Sequence, residues 1–258
     1  MKKMLTGLQP TGIITLGNYI GAIKQFTSYE KLNSILHKVI SMPDFTGLDG
    51  SFYLQSKFNL DKLYADYPEF ERVIGSGGRD KRFRNNIFEK IDIFSENRTS
   101  NEDIPVYGVI KNKRVWRYLP LKYFDLTQEN LLKWKVLVAR VNGIGILGEV
   151  LSSPEVCGPR KGYTQTFLGI GAFDMRDEAE SCLKYIKTKF CRAMLGVLKI
   201  TQMNSKEVWA YVPLQDFTSS SDIDWSKSIA EIDGQLFDKY GLDEQERNFI
   251  RTKVKEMV

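Results

Sequence analysis

One amphipathic segment constrains the fold more than any other part of this sequence. Residues 176–198 repeat apolar side chains at helical spacing, and basic side chains lie off that stripe. The apolar positions are Ala179, Leu183, Ile186, Phe190, Ala193, Met194 and Val197, and the basic ones are Lys184, Lys187, Lys189, Arg192 and Lys199. Asp174 is suited to cap the start of this helix, with Asp177 at the capping-box position. We therefore predict one long helix over residues 176–198, with a buried stripe and a cationic face.

Short strands are predicted on both sides of this helix. Residues 105–110 and 114–119 predict two strands around a Lys-Asn-Lys turn, and the second alternates basic with apolar side chains. Further strand patterns occupy residues 134–141, 165–170 and 209–212. Asp243 and Glu246 have the spacing of a capping box at the start of the last helix. The predicted fold class is α+β, with mixed sheets and a central basic amphipathic helix.

Charge is unevenly distributed along the chain. The 258 residues carry a net charge of +5, but residues 131–206 hold 12 Lys and Arg against 6 Asp and Glu. Residues 207–246 reverse this balance, with 10 acids against Lys227 and Lys239. Such a dipolar chain is suited to face a polyanion with one side, although charge clusters are also common on ordinary solvated surfaces. Charge alone leaves both interpretations open.

Composition predicts a globular, cytoplasmic protein with no membrane segment. Apolar residues make up 42% of the chain and charged residues 27%, as in ordinary globular domains. Cys157, Cys182 and Cys191 are an odd number, which argues against a disulfide framework and for a reducing compartment. No apolar run approaches the roughly 18 residues of a membrane span, and the N-terminus lacks the features of a signal peptide.

The sequence contains no recognisable catalytic constellation. His37 is the single histidine, so a Ser-His-Asp arrangement or a zinc site lacks its usual residues. Residues 143–148 form a G-x-G-x-x-G pattern, but the segment that follows contains Pro154 and does not open a helix. No two prolines are adjacent, and no lysine has the acid that a PD-(D/E)-x-K nuclease requires. We predict no catalytic residue, no metal ligand and no cofactor bound by this chain.

The first residues differ in pattern from the rest. Residues 4–12 predict a strand and a Gly/Pro turn, and Thr15-Leu16-Gly17-Asn18 then opens a helix. This segment resembles the N-terminus of bacterial tryptophanyl-tRNA synthetase, where a Thr-x-Gly-Asn element takes the place of the class I nucleotide-binding signature. The resemblance ends at Phe26, and the chain has no later lysine-serine loop. We interpret residues 1–38 as a synthetase-like N-terminal relic of strand, turn and helix.

From about Asn59 onward the chain resembles a second family. The matching blocks are residues 83–88, 135–138, 143–152, 163–167, 183–190, 201–202, 211–217 and 221–225. They are similar to the C-terminal specificity region of TaqI-like adenine-N6 DNA methyltransferases and of related fused restriction-methylase proteins. In that family this region recognises the target DNA, and the cofactor and catalytic motifs lie upstream. The resemblance implies a DNA target-recognition domain over residues 39–258, with a TaqI-like specificity fold.

This resemblance implies two sets of DNA contacts. Cations position a protein on the phosphates, whereas amides, hydroxyls and guanidinium groups reach the base edges. The expected phosphate contacts are Arg79, Lys81, Arg82, Arg84, Lys187, Lys189, Arg192 and Lys199. The expected base or base-proximal contacts are Asn142, Tyr163, Gln165, Thr166 and Gln202.

The expected function is sequence-specific recognition of double-stranded DNA within a restriction-modification system, by a module that lacks the catalytic half. Its expected partners are duplex DNA and a separate methyltransferase catalytic subunit, which would carry S-adenosylmethionine. Two alternatives remain open. One is a fragment related to tryptophanyl-tRNA synthetase that uses Gly7, Thr15 and Asn18. The other is a truncated gene product without function.

Overall fold

Two sheets and a layer of helices form the part of the chain that the structure, a computed structural model, describes: residues 24–257. The helices are α1 (Lys24–Ile40), α2 (Leu60–Asp66), α3 (Gly75–Gly78), α4 (Ile87–Lys90), α5 (Arg176–Lys187), α6 (Lys189–Leu195), α7 (Ile229–Lys239) and α8 (Glu244–Lys253). The strands are β1 (Phe52–Tyr53), β2 (Asp103–Ile110), β3 (Lys113–Pro120), β4 (Trp134–Ala139), β5 (Glu155–Cys157), β6 (Gly162–Tyr163) and β7 (Phe167–Phe173). This mixture of helices and sheets agrees with the predicted α+β class.

The main sheet has the strand order β1-β7-β4-β5, and its neighbouring strands are antiparallel. Successive side chains point to opposite faces of a strand. Val136 and Leu168 therefore lie on the face that joins the helical core, together with buried residues of α1 and α5–α8. Leu137 and Phe167 lie on the other face, in a smaller cluster shared with the second sheet. The main sheet is thus enclosed between the helices and the second sheet.

The second sheet has the order β3-β2-β6, and its β2–β3 hairpin confirms the predicted pair of strands. Lys111 (φ 48°) and Asn112 (φ 63°) form the turn, and left-handed residues match the twist of a two-residue hairpin. Strand β6 runs parallel to β2. The rings of Trp116, Tyr107 and Phe167 stack in series with centroid distances of 4.5 and 4.6 Å, which ties the hairpin to the main sheet.

A second hydrophobic core lies under the loops between β1 and β4. It is rich in aromatic side chains, and its members include Phe58, Phe70, Phe83, Phe94 and Phe124. Phe83 packs against Phe58 with a centroid distance of 4.3 Å and against Phe124 at 5.2 Å. Because Phe83 is completely buried, the basic residues on either side of it are held at the protein surface.

The single helix predicted over residues 176–198 is wrong, because the chain breaks at Thr188. Helix α5 ends one residue before Thr188, and α6 begins one residue after it. The Thr188 hydroxyl accepts a hydrogen bond from the amide of Cys191 (3.1 Å), and the Asp233 carboxylate accepts from the amides of Lys189 (2.9 Å) and Phe190 (2.8 Å). These acceptors satisfy the free N–H groups of a new helix start, which a continuous helix would not have.

Three other local predictions have clear outcomes. Met175, not Asp174, is the N-cap of α5, and the Glu178 side chain accepts from its backbone amide. The strand predicted over residues 209–212 is wrong, because the 3-10 helix Lys206–Trp209 is followed by a turn at residues 210–211. The Asp243 capping box of the last helix is confirmed.

Residues 1–23 lie outside the described residues, and so do most of the synthetase-like segment and its Gly7, Thr15 and Asn18. Helix α1 continues across the boundary predicted at residue 38. Its buried side chains Leu32, Ile35 and Val39 belong to the helical core beside the main sheet.

Candidate nucleic-acid interface

Four loops meet at the end of the main sheet where β4 finishes and β7 begins. They are residues 79–86, 140–142, 164–166 and 201–204. Backbone hydrogen bonds join them, from Gln165 N to Phe83 O (2.8 Å), from Arg140 N to Thr166 O (2.9 Å) and from Asn142 N to Gln202 O (2.7 Å). We refer to the solvent-exposed side of these loops as the four-loop surface. It brings together residues that are more than 100 positions apart in the sequence.

The cations of the first loop are anchored by a buried carboxylate. Asp80, with a side chain only 4% exposed, accepts hydrogen bonds from Arg82 Nε (2.7 Å) and Nη2 (3.1 Å), and also from Arg84. The bonds from Arg82, supported by those from Arg84, lower the pKa of Asp80 to about 2. Arg82 and Arg84 keep 43% and 39% of their side chains exposed, and Arg79 and Lys81 beside them are exposed. Arg82 and Arg84 therefore form one ordered cationic edge, and the exposed Arg79 and Lys81 neighbour them in the same loop.

Three predicted base contacts lie on the same surface. Gln165 and Thr166 are partly exposed in the turn between β6 and β7, and Gln202 is exposed in the adjoining loop. Within residues 24–257 the carboxamides of Gln165 and Gln202 make no hydrogen bond. An amide with both its donor and its acceptor available is suited to read a base edge, adenine above all.

Tyr163 and Asn142 are enclosed, so their predicted base contacts are wrong. The Tyr163 hydroxyl donates to the carbonyl of Leu54 (2.9 Å) and accepts from Asn130 Nδ2 (3.1 Å), and burial raises the pKa of Tyr163. Asn142 Nδ2 donates to the carbonyl of Val150 (2.7 Å). Both side chains hold loops together, and their polar atoms are used inside the protein.

The prediction that the basic helix faces DNA is also corrected. Arg192 and Lys199 are buried, and Arg192 donates to the carbonyl of Lys255 at 2.7 Å. Lys189 binds the carboxylate of Glu256 at 2.7 Å, and Lys187 is half-buried. Predicted phosphate contacts by Arg192 and Lys199 are therefore wrong, because Arg192 binds backbone carbonyls between the helices and Lys199 binds Glu149 and the carbonyl of Asn142. The spacing of the basic residues fits an exposed cationic face, and it fits a buried one equally well. Long Lys and Arg side chains can also extend to carbonyls inside the protein and hydrogen-bond to them.

The glycine pattern at residues 143–148 folds around an internal anion. The carboxylate of Glu149 accepts from the amides of Ile144 (3.0 Å) and Gly145 (3.3 Å) and pairs with Lys199. Burial opposes ionisation of Glu149, but these donors outweigh it and lower its pKa. A positive φ of 84° at Gly145 allows its close approach to the backbone of residues 200–201. Amides that would hold a phosphate in a nucleotide site are already occupied.

Two arginines that the sequence analysis did not select belong beside this surface. Arg140 lies in the loop after β4, between Thr166 and Asn204, to which its backbone is hydrogen-bonded. Arg114, near the hairpin turn, donates to the carbonyls of Ser152 (2.8 Å) and Ser153 (2.9 Å) and lies over the Phe167 ring. Arg140 fell inside the strand predicted over residues 134–141, but that strand ends at Ala139, so Arg140 lies in the loop after it. Nothing in the local sequence indicated that the hairpin turn beside Arg114 lies near the four-loop surface.

Other features of the described residues do not suit a polyanion or a metal. A cleft of 840 Å³ between α5 and residues 217–226 is lined by more acids than bases, namely Asp177, Glu178, Glu180, Asp222 and Asp224 against Lys184. No cluster of three or more His, Cys, Asp or Glu side chains fit for a metal ion occurs between residues 24 and 257. None of the helices described there combines the length and the hydrophobicity of a transmembrane span.

Its helices and two sheets make this chain a mixed α+β protein. No protein-family model matches the chain, and no solved structure matches it either.

Proposed function

We propose that this protein is a sequence-specific recognition module for double-stranded DNA. The observation that carries the proposal is the composition of the four-loop surface. The arginines fixed by Asp80 flank Phe83, whose carbonyl accepts from the backbone amide of Gln165, and a second free carboxamide, that of Gln202, lies in another loop of the same surface. Phosphate contacts position a protein on a duplex and base-edge contacts select the sequence, and this surface has side chains for both.

Each group has a defined role in this proposal. Arg79, Lys81, Arg82 and Arg84 contact phosphates, and Arg140 extends the cationic edge. Gln165, Thr166 and Gln202 reach the base edges in the major groove, where each base pair presents its own pattern of donors and acceptors. Preorganisation by Asp80 lowers the entropy that Arg82 and Arg84 lose when they bind.

The resemblance to restriction-modification methyltransferases supplies the biological setting of the proposal. In that setting residues 39–258 are a target-recognition domain with a TaqI-like specificity fold. Methyl transfer from S-adenosylmethionine belongs to a separate catalytic subunit that this module directs to its site. The described α+β architecture is compatible with this finer assignment.

Selection from a randomised duplex library tests the proposal. The purified chain is incubated with the library at low salt, and bound duplexes are recovered, amplified and sequenced over several rounds. We expect enrichment of one short motif, which Gln165→Ala blurs at a single base pair. Recovery of no duplex, or of duplexes without a common motif, contradicts sequence-specific recognition.

A further inference from the structure

Exposed apolar side chains form a cluster next to the four-loop surface. They come from two segments, and their members are Val141, Ile144, Ile146, Val150, Ile200 and Met203. Ile200 and Ile144 are the most exposed, at 77% and 75%. The backbones of the two segments touch, since Val141 and Met203 form a β-bridge and Gly145 packs on residues 200–201. We refer to Ile144 and Ile200 as the isoleucine pair.

The isoleucine pair rests on a rigid buried base. The Glu149 carboxylate accepts from the Ile144 amide, and its partner Lys199 directly precedes Ile200. Lys199 also donates to the carbonyl of Asn142 at 2.9 Å. One buried ion pair therefore fixes both loops that carry these isoleucines. A cluster of exposed apolar side chains on loops anchored in this way is typical of a contact with another molecule.

The charges around the isoleucine pair identify the molecule that fits. Arg140 precedes the cluster, and the exposed Lys253 and Lys255 flank Gly148 on its other side. The carboxylate inside the cluster, Glu149, is neutralised by Lys199. An apolar tip between cations is complementary to a polyanion with an apolar interior, which describes stacked base pairs between phosphates.

We propose that Ile144 and Ile200 insert between base pairs of the bound duplex and kink it, next to the sequence read by Gln165 and Gln202. This inference rests on the proposed function. Apolar wedges unstack a base step at a cost that the additional contacts offset, and pyrimidine–purine steps unstack most easily. The kink brings a longer stretch of duplex against the four-loop surface. It also makes the affinity depend on a base-pair step that no polar side chain contacts.

The test measures bending and affinity on the same duplexes. Two duplexes of about 30 base pairs contain the motif recovered by the selection, carry a dye at each end and differ only in an adjacent TATA or AAAA stretch. We expect the full chain to increase energy transfer on the TATA duplex by bending it. Ile144→Ser with Ile200→Ser should abolish the increase and weaken binding to that duplex about tenfold. The matched control is Leu132→Ser, at another exposed apolar position, which should behave as wild type.

The possible outcomes separate the two proposals. Binding without any increase in energy transfer overturns the wedge and leaves DNA recognition standing, whereas no binding to either duplex overturns both. A dimer in sedimentation that the isoleucine double variant dissociates also overturns the wedge, because the cluster is then an interface between two copies of the chain.

Discussion

At the scale of single residues, a few buried polar groups determine which surface side chains are available. Asp80 fixes two arginines in partly exposed positions, and the Glu149 carboxylate accepts hydrogen bonds from the amides of the glycine loop. The sequence predicted the basic run around Phe83 but not its anchor, because an acid among cations has the same local pattern whether it is exposed or buried. It also placed Tyr163 and Asn142 at the interface, since polar residues in loops are typical of both surface contacts and internal braces.

Asp80→Asn tests the anchor through the pH dependence of stability. The pKa of Asp80 is lowered from 3.8 to about 2, so its contribution is present above about pH 4 and is lost as the pH falls towards 2. This contribution is roughly 2 kcal/mol. We expect Asp80→Asn to lower the free energy of unfolding at pH 7 and to flatten its fall between pH 4 and pH 2. Urea titrations at several pH values measure the free energy of unfolding of both proteins. An unchanged pH profile would show that Asp80 does not hold the arginines.

Gln165→Ala tests a single base contact. Loss of its carboxamide should reduce discrimination at one base pair by about 1–3 kcal/mol, because a bidentate amide contact carries that much selectivity. Phosphate contacts remain, so the salt dependence of binding should not change. Competition between the selected duplex and duplexes with single substitutions measures this. Equal loss of affinity at every position would contradict a role in reading one base.

At the scale of elements, local sequence patterns predicted β2, β3, β4, β7 and the last helix, but not the short elements α2–α4, β1, β5 and β6, nor the interruption of the basic helix. The β2–β3 hairpin and the capped last helix followed from local signals, which a short segment contains in full. The break at Thr188 did not, because Asp233, which caps the second helix, lies on α7, 45 positions further along the chain. Apolar side chains of both helices pack into the same core, so the hydrophobic periodicity of residues 176–198 does not reveal the break.

Asp233→Ala tests this tertiary cap. Its removal leaves the amides of Lys189 and Phe190 without their acceptors, at a cost of about 2 kcal/mol. Burial raises the pKa of Asp233 from 3.8 to about 6, so its favourable contribution is complete below about pH 4 and is lost as the pH rises through 6. We therefore expect a larger destabilisation at pH 4 than at pH 7 in chemical unfolding. A loss that grows with pH would contradict this assignment.

At the scale of the whole molecule, the sheet order was beyond the reach of the sequence. Strand β1 pairs with β7, more than 100 residues later, and the two-residue length of β1 gives no periodic signal. The α+β class was predictable because class depends on the kinds of elements present. The location of the candidate site was not, because it depends on loops that only the sheet topology brings together. The cationic face predicted on the basic helix is largely occupied inside the protein, and the candidate site lies at the four-loop surface instead.

The salt dependence of DNA binding tests the central claim, that the four-loop surface grips a duplex. Binding of a labelled duplex is measured from low to physiological salt for the wild type, for Arg79→Gln with Lys81→Gln, and for Lys31→Gln with Lys227→Gln. The last pair removes the same charge from exposed lysines outside the four-loop surface. Each lost phosphate contact lowers the slope of log affinity against log salt by about 0.9. We predict a slope reduced by about 1.8 for the first pair and unchanged for the second. Equal slopes for all three proteins would contradict the account.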